Sequence, residues 1–332
     1  MNNNTLRLFL ERIGLFALRN LVWFLFIVFF FVFSVIVPAF FTLEGIHFVL
    51  HVASCAIFLV FGQAILLISG NLDLSIAQIA GLSTILTSTL YYKWSPGQIP
   101  GFLSVIIVCI IGALLGAFNG FLVGKLKLTS FLVTLATYFI FRWQRYYFIE
   151  RTIMANELPR ILLFSGQYEI LGIKMSIFIM IVFIFLLFFL LNHVRFGKKI
   201  YAVGGGPSAA TRLGINVGNT IIIAFTLSGF LAGISGMLYA GYTNAVSPDI
   251  VDGYVFLSFA GAIIGGVSMS GGRGTIGGAT GGTLLIMMID VGLMLLDMNP
   301  YIRLTLRGIF ILIAILIDKS RVSLINKILL PK

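Results

Sequence analysis

Charge is what this chain has least of. Only 10% of its 332 residues are Asp, Glu, Lys or Arg, against 59% hydrophobic. So little charge cannot coat a water-soluble core of this size, whereas about 20 consecutive apolar residues suffice to cross a bilayer as a helix. A soluble globular fold is therefore excluded. Cysteine is equally scarce. Cys55 and Cys109 both lie inside apolar runs, which gives a disulfide framework or a zinc site no support and makes them small buried hydrophobes. Histidine occurs three times. His47 and His51 stand four apart on one helical face, a spacing that can bind a metal, but with no third ligand near they read as interfacial histidines. Neither these nor His193 supply the paired acid and base of an intramembrane enzyme. A G-x-x-x-x-G-K-S/T phosphate loop is absent, so the chain does not hydrolyse ATP by itself. No metal and no cofactor are expected.

What is present is a series of apolar runs. Hydropathy marks ten spans: Leu21 to Phe41, Ile46 to Ser69, Leu74 to Tyr91, Phe102 to Val123, Leu128 to Ile149, Met175 to Leu191, Thr220 to Ala240, Tyr254 to Val267, Ile276 to Leu296 and Leu304 to Ile317. The eighth and tenth are short, as expected of spans that are tilted, broken or shielded by neighbours. The first run has charges before it and no small-residue cleavage site after it, so it reads as a retained span. The expected fold is an all-α integral membrane protein forming one polytopic domain over residues 1–332.

Orientation follows from the basic residues. With both termini cytoplasmic, the inner side collects Arg7, Arg12, Arg19, Lys125, Lys127, Arg195, Lys198, Lys199, Arg212, Arg273, Lys319, Arg321, Lys327 and Lys332, which is 14 of the 22 Lys and Arg. This satisfies the positive-inside bias and an even number of spans. The net charge of +11 thus reads as topology and attraction to lipid. It does not suggest nucleic acid, because no basic and aromatic platform accompanies it.

Glycine is abundant at 36 residues and clusters in "GALLGAFNG", "GFLAGISGMLYAGY" and "GGVSMSGGRGTIGGATGG". Small residues three or four apart let helices approach closely in lipid. The last cluster is denser than packing requires and predicts a tight cytoplasmic turn over Ser270 to Thr275. Its literal G-x-G-x-x-G is not a nucleotide site, since that motif needs a preceding strand in a βαβ unit. A second polar island, "ISGNLDLSI", separates the second and third spans. Asp73 or Ser75 can cap the third span there, with Ser69, Gly70 and Asn71 accommodating the break. The alternative is that Asn71 and Asp73 face a pathway, since a carboxylate at membrane depth is a functional candidate by default. "LLISGNLDLS" and "AIIGGVSMSG" are faintly alike, as if one helix-break-helix unit occurred in both halves. The cytoplasmic segment of about 193–219 contains "RFGKKIYAVGGGPSAATRLGINVGNT". Pro207 can open a short helix there over Ser208 to Leu213, closed by Gly214. Such an exposed helix suits docking of another protein, or is an ordinary basic loop at the membrane edge.

These residues carry a resemblance. "RFGKKIYAVGGGPSAATRLGINV" is similar to the cytoplasmic loop of ribose/galactose-type permease subunits of bacterial ABC sugar importers. "SGNLDLS" resembles that family's Gly-Gly-Ile-Asp-Leu-Ser signature, "AGAIIGGVSMSGGRGTIGGATGG" its second glycine-rich signature, and "DMNPYIRLTLRGIFILIAILID" the last span of galactose-like members. The resemblance implies a subunit in the bacterial cytoplasmic membrane, paired with a second copy or a paralogue. ATP-binding cassette ATPase subunits would sit beneath and an extracytoplasmic sugar-binding protein above. It also implies that Gly205, Ser208, Ala209, Ala210, Arg212 and Gly214 form the element that couples to the ATPase. The expected function is ATP-driven monosaccharide import, with an ABC nucleoside permease or a gradient-driven secondary transporter as alternatives. A sugar needs hydrogen-bond partners and no counter-charge, so the pathway candidates are Asn71, Asp73, Ser75, Asn119, Thr134, Thr137, Asn244 and Asp290. Asp290 either bonds a neighbouring helix in protonated form or lines the pathway.

Four positions depart from the family pattern. Asn71 replaces the second glycine of a usual pair, Gly206-Pro207 stands where an asparagine is common, Trp143 follows Arg142 where glycine is usual, and Asp290 replaces an amide. Arg142 and Arg145 at the outer end of the fifth span are expected to pair with Glu150, to dock a binding protein or, for Arg145, to snorkel to the interface.

Overall fold

The fold was analysed in a computed structural model that describes residues 20–299, 301–306, 308, 309, 312, 313 and 316. Both termini and part of the tenth expected span lie outside these residues. The helices in chain order are α1 (Leu21–Ile36), α2 (Leu43–Ile68), α3 (Ile76–Thr89), α4 (Leu103–Gly124), α5 (Ser130–Phe148), α6 (Arg160–Gln167), α7 (Met175–His193), α8 (Arg195–Gly205), α9 (Pro207–Arg212), α10 (Val217–Thr243), α11 (Tyr254–Ile264) and α12 (Ile276–Leu295). Five of them, α2, α4, α7, α10 and α12, are long and apolar enough to cross a membrane, and α1 and α11 are shorter apolar helices.

Local chemistry explains the ends. α1 stops at Ile36, short of the expected Phe41, because Pro38 cannot continue it and opens a separate turn over Pro38–Phe41. The Thr42 hydroxyl then accepts from the Gly45 amide at 3.0 Å and caps α2. α3 ends in a wider π turn over Leu90–Trp94. The connection after α5 is folded. Its strand β1 (Ile153–Met154) pairs antiparallel with the later β4 (Ala245–Val246), and β2 (Glu169–Ile170) forms a hairpin with β3 (Ile173–Lys174).

α2 stands at the centre. Its most apolar 18-residue window is entirely buried, as a helix hydrophobic all round must be. α10 packs beside it and against α4 along facing glycines. A Cβ at Gly116 of α4 would lie 2.3 Å from the Phe225 carbonyl oxygen of α10, so the backbones touch where side chains would hold them apart. The outer faces are left to lipid. Ile110, Leu114 and Phe118 of α4 and Phe185, Leu186 and Phe189 of α7 are all exposed, as suits a bilayer solvent.

The two polar islands are built alike. At the end of α2, the Gly70 amide donates to Leu67 O and the Asn71 amide to Leu66 O, at 2.9 Å each. At the end of α11, Gly266 donates to Ile263 O at 2.8 Å and Val267 to Ala262 O at 3.0 Å. Gly70 and Gly266 have φ of +78° and +84°. Both ends are therefore Schellman caps with glycine in the left-handed position. The faint likeness of the two sequences corresponds to one shared backbone device.

Candidate functional site

The first break places a polar cluster inside the bundle. Asp73 is fully buried, and its Oδ1 accepts from the Ser75 amide at 2.7 Å and the Ser75 hydroxyl at 2.6 Å. The Ser75 Oγ in turn accepts from Asn119 Nδ2 of α4 at 2.8 Å. α5 completes the arrangement: Thr134 Oγ1 accepts from the Leu74 amide at 3.1 Å, and Ser130 Oγ from the Leu72 amide at 3.4 Å. Asp73 and two side chains of α5 thus satisfy backbone amides that lipid cannot, and Asn119 of α4 donates to the Ser75 hydroxyl. Of the two caps expected for α3, Asp73 is the one that accepts backbone, through Ser75, while the Ser75 side chain turns to Asp73. Asp73 Oδ2 and Asn119 Oδ1 are buried without a partner, which leaves acceptor capacity unused.

The remaining candidates spread out. Asn71 is half-buried and folds its Nδ2 back onto Ser69 O at 3.2 Å, so the side chain that replaces a glycine there needs no unusual backbone. Thr137 is buried and bonds back to Val133 O at 3.2 Å. Asn244 lies at the outer end of α10 with φ +57°, where it ends the helix away from the Asp73 cluster. Asp290 is buried within α12, in electrostatic reach of Tyr242. His51 is buried rather than interfacial, its Nδ1 2.8 Å from Ser176 Oγ. No group of potential metal ligands occurs among the described residues.

The segment of about 193–219 holds a helical hairpin, α8 followed by α9. Sequence reasoning missed α8, yet its signal was present: Gly197, Ile200 and Val203 recur three apart and are its buried face. Gly206 separates the helices, and Pro207 opens α9 at its first position. Ser208, Ala209 and Arg212 are exposed on α9, as are Gly205 and Gly214. Ala210 differs from expectation: it is buried, facing the protein and not a partner. Gly214, at φ +76°, closes the helix as expected.

A second buried cluster forms where α3, α5 and the connection between α10 and α11 meet. Arg145 is fully buried, which corrects the expectation of snorkelling. Its guanidinium donates to Gln78 Oε1 of α3, to Asp252 Oδ1 at 2.9 Å, and to the carbonyl oxygens of Pro248 and Ile250. Gly81 makes the room, since a Cβ there would be 2.9 Å from Arg145 Cζ. A guanidinium has five donors in a planar fork, and a loop of carbonyls plus one carboxylate matches them better than the interface does. Arg142 joins Asp252 at 3.5 Å and donates to Tyr138. Glu150 pairs instead with Lys93, at 3.8 Å. Trp143 is exposed and its ring lies 5.8 Å from that of Tyr146, one turn on. In the connection above, Arg151 and Glu157 pair at 2.6 Å and Lys174 and Glu169 at 2.7 Å. The guanidinium holds the Glu157 carboxyl down at about 2, and Lys174 holds Glu169 below its ordinary value.

Comparison with known proteins agrees with this architecture. Residues 45–315 match the family described as branched-chain amino acid transport system / permease component. The galactose/methyl galactoside import permease of Escherichia coli is 30% identical over 86% of this chain and 89% of its own length. The fructose import permease of Rhizobium meliloti is 33% identical over 77% of this chain and 72% of its own, and the ribose import permease of Haemophilus influenzae 28% over 92% and 95%. No solved structure matches the chain. The buried polar break, the exposed hairpin and this extended similarity agree: the chain belongs to the branched-chain amino acid transport system / permease component family, as a multi-pass membrane permease and not an enzyme.

Proposed function

We propose that the chain is the transmembrane permease subunit of an ATP-driven importer of monosaccharides in the bacterial cytoplasmic membrane. The observation that carries this reading is α9, a short helix whose Ser208, Ala209 and Arg212 stand free on the side where the basic residues gather. A secondary transporter has no use for such a knob. The relatives are named for import of galactose, fructose and ribose, which favours a sugar over a nucleoside or a branched-chain amino acid. In this reading α9 enters a groove of an ATP-binding cassette ATPase. A binding protein delivers sugar at the outer end, and a second copy or a paralogue supplies the other half of the pathway. ATP-driven closure of the ATPase pair then moves the bundles as rigid bodies between outward and inward states. Asp73, Ser75 and Asn119, with Asn71, Thr137, Asn244 and Asp290, are the groups offered to sugar hydroxyls along the way.

The test is co-purification in mild detergent with identification of the proteins retained, for wild type and Arg212→Glu. An ATPase retained by wild type and lost from the variant is the expected outcome. A chain that purifies alone and moves solute in liposomes under a gradient would overturn the reading in favour of secondary transport.

A further inference from the structure

The tip of the cytoplasmic hairpin touches both helix breaks at once. A Cβ at Gly204, near the end of α8, would sit 1.8 Å from the Ile68 carbonyl oxygen at the end of α2 and 2.7 Å from the Gly272 amide nitrogen. The loop between α11 and α12 presses from its other side. A Cβ on Gly271 would meet the Gly204 carbonyl oxygen at 2.5 Å, and one on Gly272 would meet Gly205 Cα at 2.9 Å. Gly271 and Gly272 have φ of +81° and +69°, so neither the space nor the backbone admits a side chain. Two hydrogen bonds tie the three segments together. The Gly272 amide donates to Ile68 O at 2.8 Å, and the Tyr201 hydroxyl of α8 donates to Gly274 O at 2.7 Å.

Ile68 O is one of the last carbonyls of α2, which the helix itself leaves without a donor. Its donor, the Gly272 amide, comes from the loop that follows the other break, so that loop caps the end of α2. Gly204 lies against that bond, and α9 begins three residues later. On the far side, a few residues past Ile68, stand Asp73 and Ser75 at the head of α3; a few residues past Gly272 stands Thr275, which caps α12. No side chain intervenes to absorb a displacement, and close-packed backbone passes strain on.

We propose that the Gly204 junction is where movement of the cytoplasmic hairpin is handed to both helix breaks, and so to the polar cluster at the head of α3. The inference rests on the importer reading and deepens it: Gly204 and Tyr201 are positioning residues that make transport follow hydrolysis. They touch neither the ATPase nor the sugar.

The experiment reconstitutes the chain with its co-purifying ATPase and binding protein in proteoliposomes. Uptake of labelled galactose, ribose and fructose is measured alongside ATP hydrolysis. Gly204→Ala is expected to lower sugar moved per ATP on the order of tenfold, within the usual range of coupling between sites, with ATPase co-purification unchanged. Tyr201→Phe deletes one hydroxyl and keeps the ring. It is expected to lower the ratio about threefold, and it decides the matter if Gly204→Ala does not accumulate. Gly277→Ala, whose Cβ meets nothing within 4 Å, keeps the wild-type ratio. An unchanged ratio in Tyr201→Phe and in any Gly204→Ala obtained overturns the proposal. So does a proportional fall of uptake and hydrolysis together, which marks a merely structural role. A wild-type chain that retains no ATPase overturns the importer reading itself, a separate failure visible before any variant is made.

Discussion

Arg145 offers the sharpest test of how the outer ends are held. Its guanidinium reaches four acceptors from α3 and from the connection between α10 and α11. Arg145→Met keeps the apolar stem and removes all of these donors. Loss of one partner from a fully buried ion pair costs about 3–5 kcal/mol. Asp252 is 26% exposed and keeps Arg142, so its share is discounted to about 1 kcal/mol. The three neutral acceptors add about 1 kcal/mol each, for a total of about 4 kcal/mol. At about 2 °C per kcal/mol for a chain of this size, Tm falls by about 8 °C. Arg142→Met is the contrast. That side chain is 38% exposed and loses one ion pair at 3.5 Å, so the cost is about 1 kcal/mol or less and the Tm shift about 2 °C. Cys55 and Cys109 are free; Cys55 is fully buried but Cys109 only partly, against expectation, so in a Cys109→Ala background a thiol-reactive fluorophore reads unfolding in detergent through Cys55. Equal Tm shifts in the two variants would refute the hub.

Two further predictions follow from the polar break and the outer connection. Asp73→Ala removes the acceptor of both Ser75 donors and lowers stability by about 2–3 kcal/mol, whereas Asp73→Asn keeps one oxygen in place and loses about 1 kcal/mol or less; if Asn destabilises as much as Ala in the same thermal assay, acceptor geometry is not what holds Asp73. For the outer connection, the folded Glu157 carboxyl titrates at about 2 against an ordinary 4.5. Its contribution is present above pH 4.5 and is lost as pH falls through 2. Protection of the Met154 amide, which donates to Glu157, measured against its intrinsic exchange rate, should hold from pH 7 down to 4.5 and be lost as pH falls to about 2. Arg151→Gln should raise the lower end of that loss from about 2 toward the ordinary 4.5, and an unmoved lower end would sink the assignment.

Hydropathy runs and glycine spacing were enough to identify a helical membrane protein, because those signals are local and lipid imposes them on each segment separately; the permease reading came from the resemblance of its motifs to a known family. The paired breaks were legible for the same reason: a Schellman cap is written in five or six consecutive residues. α9 was legible from Pro207 and Gly214. α8 was not, because its small buried face of Gly197, Ile200 and Val203 looks like loop composition until something packs on it.

What only the tertiary structure decided is which distant groups meet. A buried arginine and a snorkelling arginine are the same letter. Arg145 goes inward because Gly81 leaves a gap and the carbonyls of Pro248 and Ile250 line it, at separations of more than 60 residues. Asn119 joins Asp73 through Ser75 only because α4 is drawn beside the head of α3. The Gly204 junction likewise exists only once α2, α8 and the loop after α11 are brought together. Local sequence sets backbone conformation and burial tendency; long-range packing assigns partners, since a polar group in lipid takes whichever donor or acceptor the fold delivers.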